Sequence, residues 1–381
     1  MSLDLDLGRP PAACRVVVAM SGGVDSSVTA GLLAEAGYEV VGITLQLYDH
    51  GMATGRKGAC CAGRDIHDAR AVAERLGIAH YVLDFEARFR AAVIDDFATG
   101  YAEGRTPVPC VRCNERVKFK DLLTIARDLG ADALATGHYA RRIAGPQGAE
   151  LHRAADPAKD QSYFLFATTP DQLEFLRFPL GGLDKAATRA HAVRLGLDVA
   201  DKPDSQDICF VPSGRYSEVV ARLRPDAFLP GELVHVDGRV LGQHVGIANY
   251  TVGQRRGLKV ADGERLYVVA IEPGSRRVVV GPRRAGCSMQ VELARVNWLA
   301  EPPAAGEPFA VEVKHRYNEP AVTGRIEALP DGRARVLLDR PQSGIAPGQA
   351  CVAYRGSRMV GGGWIERAPL LWQEDPARLS A

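Results

Sequence analysis

The chain has 381 residues, 46% hydrophobic and 24% charged, with a formal net charge of +1 at pH 7. That length suits two or three domains with sizeable cores, and that balance excludes a global positive field demanding nucleic acid, although local basic patches remain. No apolar run approaches the length of a membrane helix. The leader MSLDLDLGRPPAAC carries Asp4 and Asp6 and lacks the apolar core of a signal peptide. A cytoplasmic enzyme with no membrane contact is expected, its eight cysteines mostly reduced and any disulfide transient or catalytic.

In chain order, Val16-Val17-Val18 predicts a short buried strand, Ser21-Gly22-Gly23 a turn, and Asp25-Ser26-Ser27 the start of a helix that Gly37 stops. Strands are then predicted over Tyr38–Leu45, His80–Leu83 and Ala133–Thr136, with amphipathic helices over Asp65–Leu76, Glu86–Thr99 and Lys118–Leu129. Gly104–Asn114 reads as a loop, Tyr163–Phe166 as a strand-like run, and Asp184 as the cap of a helix ended by Gly196. Alternating strands and helices predict an α/β fold with a doubly wound parallel sheet. Such sheets bind ligands beyond the carboxyl ends of their strands, which places Ser21–Ser27, Leu45 and Gly137-His138 on one rim.

From about Gly231 the pattern changes to short β runs: Glu232–Val236, Arg239–His244, Leu266–Ile271, Arg277–Val280, Val291–Trp298, Ala310–Lys314 and Arg333–Leu338. Asp237-Gly238 and Asp331-Gly332 are hairpin-type turns. One or two small β domains are expected there.

The chemistry is concentrated in two places. A strand, a glycine turn and a helix N-terminus make an anion site, because backbone amides and the helix dipole face the loop. Ser21, Ser26 and Ser27 can add donors there. Asp25 would repel a bare phosphate, a conflict that Mg2+ resolves. No Gly-Lys-Ser/Thr closes the loop, so it is not a Walker A sequence. The second place is the C-x-x-C of Cys110 and Cys113, with Arg112, Arg116 and Lys118 alongside, and the distant Cys209. Neighbouring cations stabilise thiolate, which suggests a reactive thiol beside a nucleotide. The rivals are half a zinc site completed by Cys60-Cys61, and inert buried cysteine, which suits Cys14, Cys287 and Cys351. No resident metal is expected.

SGGVDSS resembles the SGGxDS signature of the PP-loop ATP pyrophosphatases. Together with RTPVPCVRCNERVKFKDLL, ATGHYA, KDQSYFLF, FPLGGLDKAATR, KPDSQDICF, GIANYTVGQRRGL and GGGWI, it makes the chain resemble the tRNA-specific 2-thiouridylase family from about Val16 to Ile365. The resemblance implies ATP-dependent 2-thiolation of a tRNA wobble uridine through an adenylated base and a cysteine persulfide, with AMP and pyrophosphate released. Cys209 would carry the persulfide and Cys113 would release the sulfur, with a disulfide between them at one stage. ATP would be bound by Ala19, Met20, Ser21, Gly22, Gly23, Val24, Asp25, Ser26, Leu45 and Gly137, with Mg2+ arriving alongside and no tightly held cofactor.

By the same resemblance, tRNA would meet Val108, Pro109, Cys110, His138, Lys159, Asp160, Gln161, Arg316, Tyr317 and Gln349. Many members have Asp where this chain has Cys110, so a cysteine either substitutes for the carboxylate or shapes the pocket. The partners implied are tRNA and a persulfide donor, a cysteine desulfurase or relay protein. The expected division is a PP-loop adenylating domain over 1–212, a small central mainly-β domain over 213–288 and a C-terminal β-barrel over 289–372. Three rivals stand beside this reading: a PP-loop synthetase acting on a small metabolite, a tRNA-thiolating enzyme holding an iron–sulfur cluster on Cys60, Cys110 and Cys113, and a non-catalytic nucleotide-binding RNA adaptor.

Overall fold

The computed structural model describes residues 3–48, 61–204, 208–211, 214–260, 262–304 and 306–374. Cys60, the Cys61 side chain and Ser205-Gln206-Asp207 lie outside the described residues. Two units are present. The first takes in the described residues up to Val93, then Cys110–Gly214 and Ser357–Met359; the second takes in Ile94–Pro109, Arg215–Gly356 and the chain from Val360 onward.

The first unit is built on β1 (Arg15–Ala19), β2 (Glu39–Gln46), β3 (Ala79–Asp84), β4 (Ala133–Ala135) and β7 (Leu176–Arg177). They form one parallel sheet in the order β3-β2-β1-β4-β7. Val16, Val17 and Val18 are fully buried, each worth roughly 1.5–3 kcal/mol relative to exposure. The chain runs outward from β1 through β2 and β3, then returns to β4 on the other side. The crevice between β1 and β4 is therefore the switch point at which such sheets bind ligands. Helix α1 (Val24–Glu35) leaves β1 through Ser21-Gly22-Gly23, buries Val28, Ala30 and Leu33, and ends before Gly37 at φ +90°. Helix α2 (Cys61–Leu76) connects β2 to β3. Between β4 and β7 lies a hairpin of β5 (Ala140–Gly145) and β6 (Gly148–Arg153), which polar side chains hid from periodicity.

Two expectations are corrected. The C-x-x-C does not sit in a loop: Pro109–Cys113 is a short helix, α3, with Pro109 at a first-turn position where its missing N–H costs nothing. It runs on as a π-helix over Asn114–Leu122 and as α4 (Leu123–Asp128). Val117, Phe119 and Leu122 anchor the wide turns in the core. Tyr163–Phe166 is not a strand but belongs to a 3-10 turn, Ser162–Leu165. The cause is local: the buried Asp160 carboxylate accepts from Ser162 N and Ser162 Oγ, both at 3.1 Å, and curls the chain. Asp184 does cap its helix, α5 (Lys185–Arg194), accepting from Ala187 N at 2.7 Å.

In the second unit, a helix over Asp95–Ala102 packs on another over Tyr216–Leu223, with Tyr101 stacked on Tyr216 at 4.3 Å between centroids. Strands β8 (Gly231–His235), β9 (Val240–His244), β10 (Tyr267–Glu272) and β11 (Arg277–Gly281) form a sheet ordered β10-β11-β8-β9 around Leu233, Leu266, Val268 and Val280. Strands β12 (Cys287–Trp298), β13 (Phe309–Lys314), β14 (Val322–Leu329), β15 (Arg333–Ser343), β16 (Ala350–Arg355) and β17 (Arg358–Arg367) close an antiparallel barrel through the β12–β17 pairing. Asp331 and Gly332, at φ +60° and +67°, make the tight turn between β14 and β15. Strands β14, β16 and β17 were absent from the periodicity reading. Valine, alanine and glycine runs such as ACVAY and MVGGGW do not alternate, because both of their faces are largely buried.

Candidate active site

The loop after β1 is held by its own side chains. Ser26 Oγ accepts from Ser21 N at 3.1 Å, and both Ser26 Oγ and Ser27 Oγ donate to Gly23 O, at 3.2 and 2.8 Å. Ser27 is fully buried, so it shapes the turn and does not reach a ligand as the sequence suggested. Met20 is buried and tied to Ile43 O and Thr44, which fixes the strand end behind the loop. Ser21 is exposed; Ala19, Gly23 and Asp25 are half-buried. The first amide of this turn to find a backbone carbonyl is Ser27 N, on Gly23 O at 3.2 Å, as expected of a helix N-terminus whose first amides have no partner within the helix. Leu45 sits near the end of β2, partly exposed, on the same edge.

The glycines have different reasons from those first assigned. Gly22 has φ +72°, and a Cβ there would lie 2.1 Å from Asp65 O. Its freedom is needed for the turn and for the close approach of α2, not only for an anion. Lys202 braces that approach by donating to Gly22 O at 2.9 Å and Asp65 Oδ1 at 2.8 Å. A Cβ on Gly137 would lie 2.8 Å from Ser26 N, so the chain leaving β4 touches the first turn of α1.

Asp25 is the centre of a network that the sequence did not reveal. Its Oδ1 accepts from Lys185 Nζ at 2.7 Å and from Tyr139 O–H at 2.9 Å. Lys185 Nζ also reaches Asp204 Oδ1 at 2.7 Å, and Asp204 is further paired with Lys159 at 2.8 Å and Arg189 at 3.2 Å. Partial burial alone would raise the Asp204 carboxyl, but hydrogen bonds from Lys159 and Lys185 outweigh it and hold the group below its usual range. Burial pushes the Tyr139 phenol up, so it stays a donor to Asp25. The carboxylate first read as a magnesium ligand is thus already held by a cation and a phenol.

Three thiols of the same unit were singled out by the sequence. Cys110 and Cys209 are exposed, Cys113 is buried, and all are free. The sequence expectation of cation-lowered thiols is overturned. Burial raises Cys110 and Cys113 above the ordinary thiol value, with Lys118 opposing. Cys209 is accessible yet set in a protein-dense recess, which pushes it up to about 12; Cys113 and Cys110 add to the rise and Lys118 opposes it. Arg112, expected to help, is turned to Glu115 at 2.8 Å, and Arg116 to Ala92 O at 3.0 Å. His138 is held neutral, well below its usual value, by burial and by Lys118. Its Nδ1 lies 2.9 Å from Thr136 Oγ1, which leaves Nε2 for other contacts.

The remaining residues assigned to RNA fall in varied settings. Lys159 belongs to the Asp204 network, and Asp160 is buried, also accepting from Ala154 N at 3.1 Å. Gln161 Oε1 accepts from Tyr139 N at 3.0 Å. In the second unit, Val108 and Pro109 are buried. Arg316 donates to Val252 O at 2.6 Å and packs on Gly253 and Gly344, linking a loop of the central sheet to the barrel. Tyr317 lies under Lys314 Nζ at 5.4 Å. Gln349 donates to Thr106 O at 3.0 Å. Sequence reasoning missed Tyr139, Lys185, Lys202 and Asp204. All four lie inside quoted motifs, ATGHYA, LDKAATR and KPDSQDICF, but nothing in spacing pointed them at the loop after β1.

Family profiles agree with this architecture. One described as a tRNA methyl transferase HUP domain matches residues 14–213; a tRNA methyl transferase PRC-barrel domain matches 217–282; an aminomethyltransferase beta-barrel domain matches 288–365. The chain is 64% identical over 373 residues to the tRNA-specific 2-thiouridylase MnmA of Rhodospirillum centenum, covering 96% of this chain and 95% of the relative. It is 60% identical to the protein of that name from Paracoccus denitrificans, over 95% of this chain and 94% of the relative. The Acidiphilium cryptum protein is 65% identical over 92% of this chain and 99% of its own length.

Proposed function

Because the chain belongs to the tRNA-specific 2-thiouridylase family of sulfurtransferases, we propose that it uses ATP to adenylate O2 of a tRNA wobble uridine and then replaces that oxygen with sulfur from a persulfide on Cys209. The observation that carries this reading is the Gly137-His138 pair. Gly137 abuts the first turn of α1 behind the SGGVDSS loop, while the His138 ring lies edge-on to Phe119, at 6.0 Å between centroids, on the helical segment that runs on from Cys113. One dipeptide therefore separates an anion-binding loop from a cluster of thiols.

The steps follow from the groups present. The amides of Gly22–Asp25 would receive the triphosphate, and the exposed Ser21 hydroxyl would add a contact, while Ser26 holds the loop in shape. Magnesium arrives on the phosphates, with at most one carboxylate, Asp25, near it. O2 of uridine attacks the α-phosphorus and pyrophosphate leaves. The terminal persulfide sulfur attacks C2, AMP leaves with the C–O bond pair, and a C2–S–S–Cys209 adduct remains. Cys113 thiolate then attacks Cys209 Sγ. That S–S bond breaks toward the base, 2-thiouridine departs with the electron pair, and a Cys113–Cys209 disulfide forms, to be reset by a thiol reductant. His138, kept neutral, places a ring N–H near the base without adding charge. Val108, Pro109 and Cys110 border the base, while Lys159, Gln161, Arg316, Tyr317 and Gln349 carry or position the tRNA contacts. Asp160, buried, supports that surface from within.

The reading places the enzyme in the cytoplasm, supplied by a protein persulfide donor. The test is mass analysis of nucleosides from tRNA incubated with the protein, ATP and a persulfide donor. 2-Thiouridine with one AMP and one pyrophosphate per sulfur is expected; pyrophosphate release that depends on a small metabolite and not on tRNA overturns it.

A further inference from the structure

Anionic sulfur has to exist twice in the proposed cycle, as the Cys209 persulfide and as the Cys113 thiolate, yet the recess works against both. The charged group that acts on the thiols is Lys118, while the thiols act on one another and Arg112 and Arg116 on the same helix are engaged by Glu115 and Ala92 O. His138 is neutral, so it brings no compensating charge. Lys118 is half-buried and has no carboxylate partner among the described residues. It stands in the π-helix, four residues beyond Asn114 and five beyond Cys113, the offsets that the wider i→i+5 winding stacks on one face. Asn114 is 3% exposed; its Nδ2 donates to Phe164 O at 3.1 Å while its buried Oδ1 has no hydrogen-bond partner.

We infer that Lys118 is the positioning residue of sulfur transfer, the fixed counter-charge that lets Cys113 and Cys209 act as anions inside a recess that disfavours them. The inference rests on the thiolation reading only for its purpose; the charge effect is a property of the free protein. A thiolate here gains from an ammonium without the desolvation that a mobile cation would bring, and the effect grows when tRNA covers the recess and excludes water. The two arginines could not serve, because their guanidinium groups point elsewhere.

The experiment uses the full chain without ATP or tRNA. Iodoacetamide labelling of Cys110 and Cys209, mapped by mass spectrometry, and thiolate ultraviolet absorbance are followed against pH in wild type, Lys118→Met, Lys118→Gln and Lys118→Arg. Loss of the charge is expected to move the thiol midpoints alkaline by about one pH unit, a roughly tenfold slower labelling at neutral pH, while Lys118→Arg stays near wild type. Single-turnover thiolation should show the same alkaline displacement, with ATP binding unchanged. Circular dichroism separates a folding defect, and the glutamine variant, which keeps a polar side chain, stands in if methionine unfolds. Superimposable profiles for wild type and both neutral variants overturn the inference. Shifted profiles in a protein that never thiolates tRNA would uphold it while removing the proposed substrate.

Discussion

Gly22→Ala separates two uses of a glycine in an anion loop. If Gly22 exists only to let phosphate approach, alanine should weaken ATP binding and leave the protein as stable as before. The structure demands more. At φ +72° an alanine meets the left-handed penalty of ~1–2 kcal/mol. Its Cβ also falls 2.1 Å from Asp65 O, a backbone atom that cannot swing away. Forcing the start of α2 aside resembles overpacking, at ~1–3 kcal/mol. The sum is ~2–5 kcal/mol, before any weakening of the Lys202 contacts to Gly22 and Asp65. For a unit of about 200 residues, each kcal/mol moves the midpoint by roughly 2–4 °C, so thermal unfolding should begin ~4–20 °C lower. The assay pairs a circular-dichroism melt with calorimetric ATP titration at a temperature where both proteins are folded. A melt within a degree of wild type, whatever happens to ATP, would refute the steric account.

The other predictions concern the chemistry and the partner. Cys209→Ser should bind ATP and tRNA and form adenylated tRNA without thiolating it, and Cys113→Ser should accept sulfur on Cys209 and stall; Cys110→Ser should keep measurable single-turnover activity, and a dead Cys110→Ser beside an active Cys113→Ser would reverse the roles. tRNA binding should weaken steeply with salt despite the net charge of +1, because local Lys and Arg contacts release counterions; Arg316→Ala should weaken it further and leave ATP affinity unchanged, and a flat salt dependence in filter binding would count against an RNA partner. Asp204, held below its ordinary value of 3.8, contributes stability that is present above that value and is lost as pH falls through its lower folded value; Asp204→Asn should flatten that part of the acid melt, and an unchanged acid profile would show that its three cations do not matter.

Much of the first unit was legible because its signals are local. Three consecutive valines, a serine-glycine turn and a helix stop at Gly37 leave few alternatives, and the rim shared by Ser21–Ser27, Leu45 and Gly137 follows from strand order. The Asp25 network was not legible. Lys185 and Asp204 are 160 and 179 residues away in sequence, and a lysine in an LDKAATR string looks like any solvated helix residue until the fold places it. The thiols were misjudged for a related reason. Three cations beside Cys113 in sequence suggested a lowered thiol, but winding decides direction, and two of the three point elsewhere. Burial then outweighs the third. In the barrel, β16 and β17 are buried on both faces and carry no alternation, so those two strands were invisible to periodicity.

The winding after Cys113 also makes the segment a length gauge. A π-helix is an α-helix with a residue to spare: remove one residue between Asn114 and Leu122 and the stretch can relax to ordinary winding with its ends still joined. The hydrogen bonding would improve. The face carrying Cys113 and Lys118 would nevertheless rotate out of register with Val117, Phe119 and Leu122, which anchor the turn in the core. Such a deletion would therefore give a sturdier helix and a disassembled thiol cluster. Relatives that preserve the reaction are expected to keep the number of these nine positions fixed, whatever varies at the solvent-facing ones.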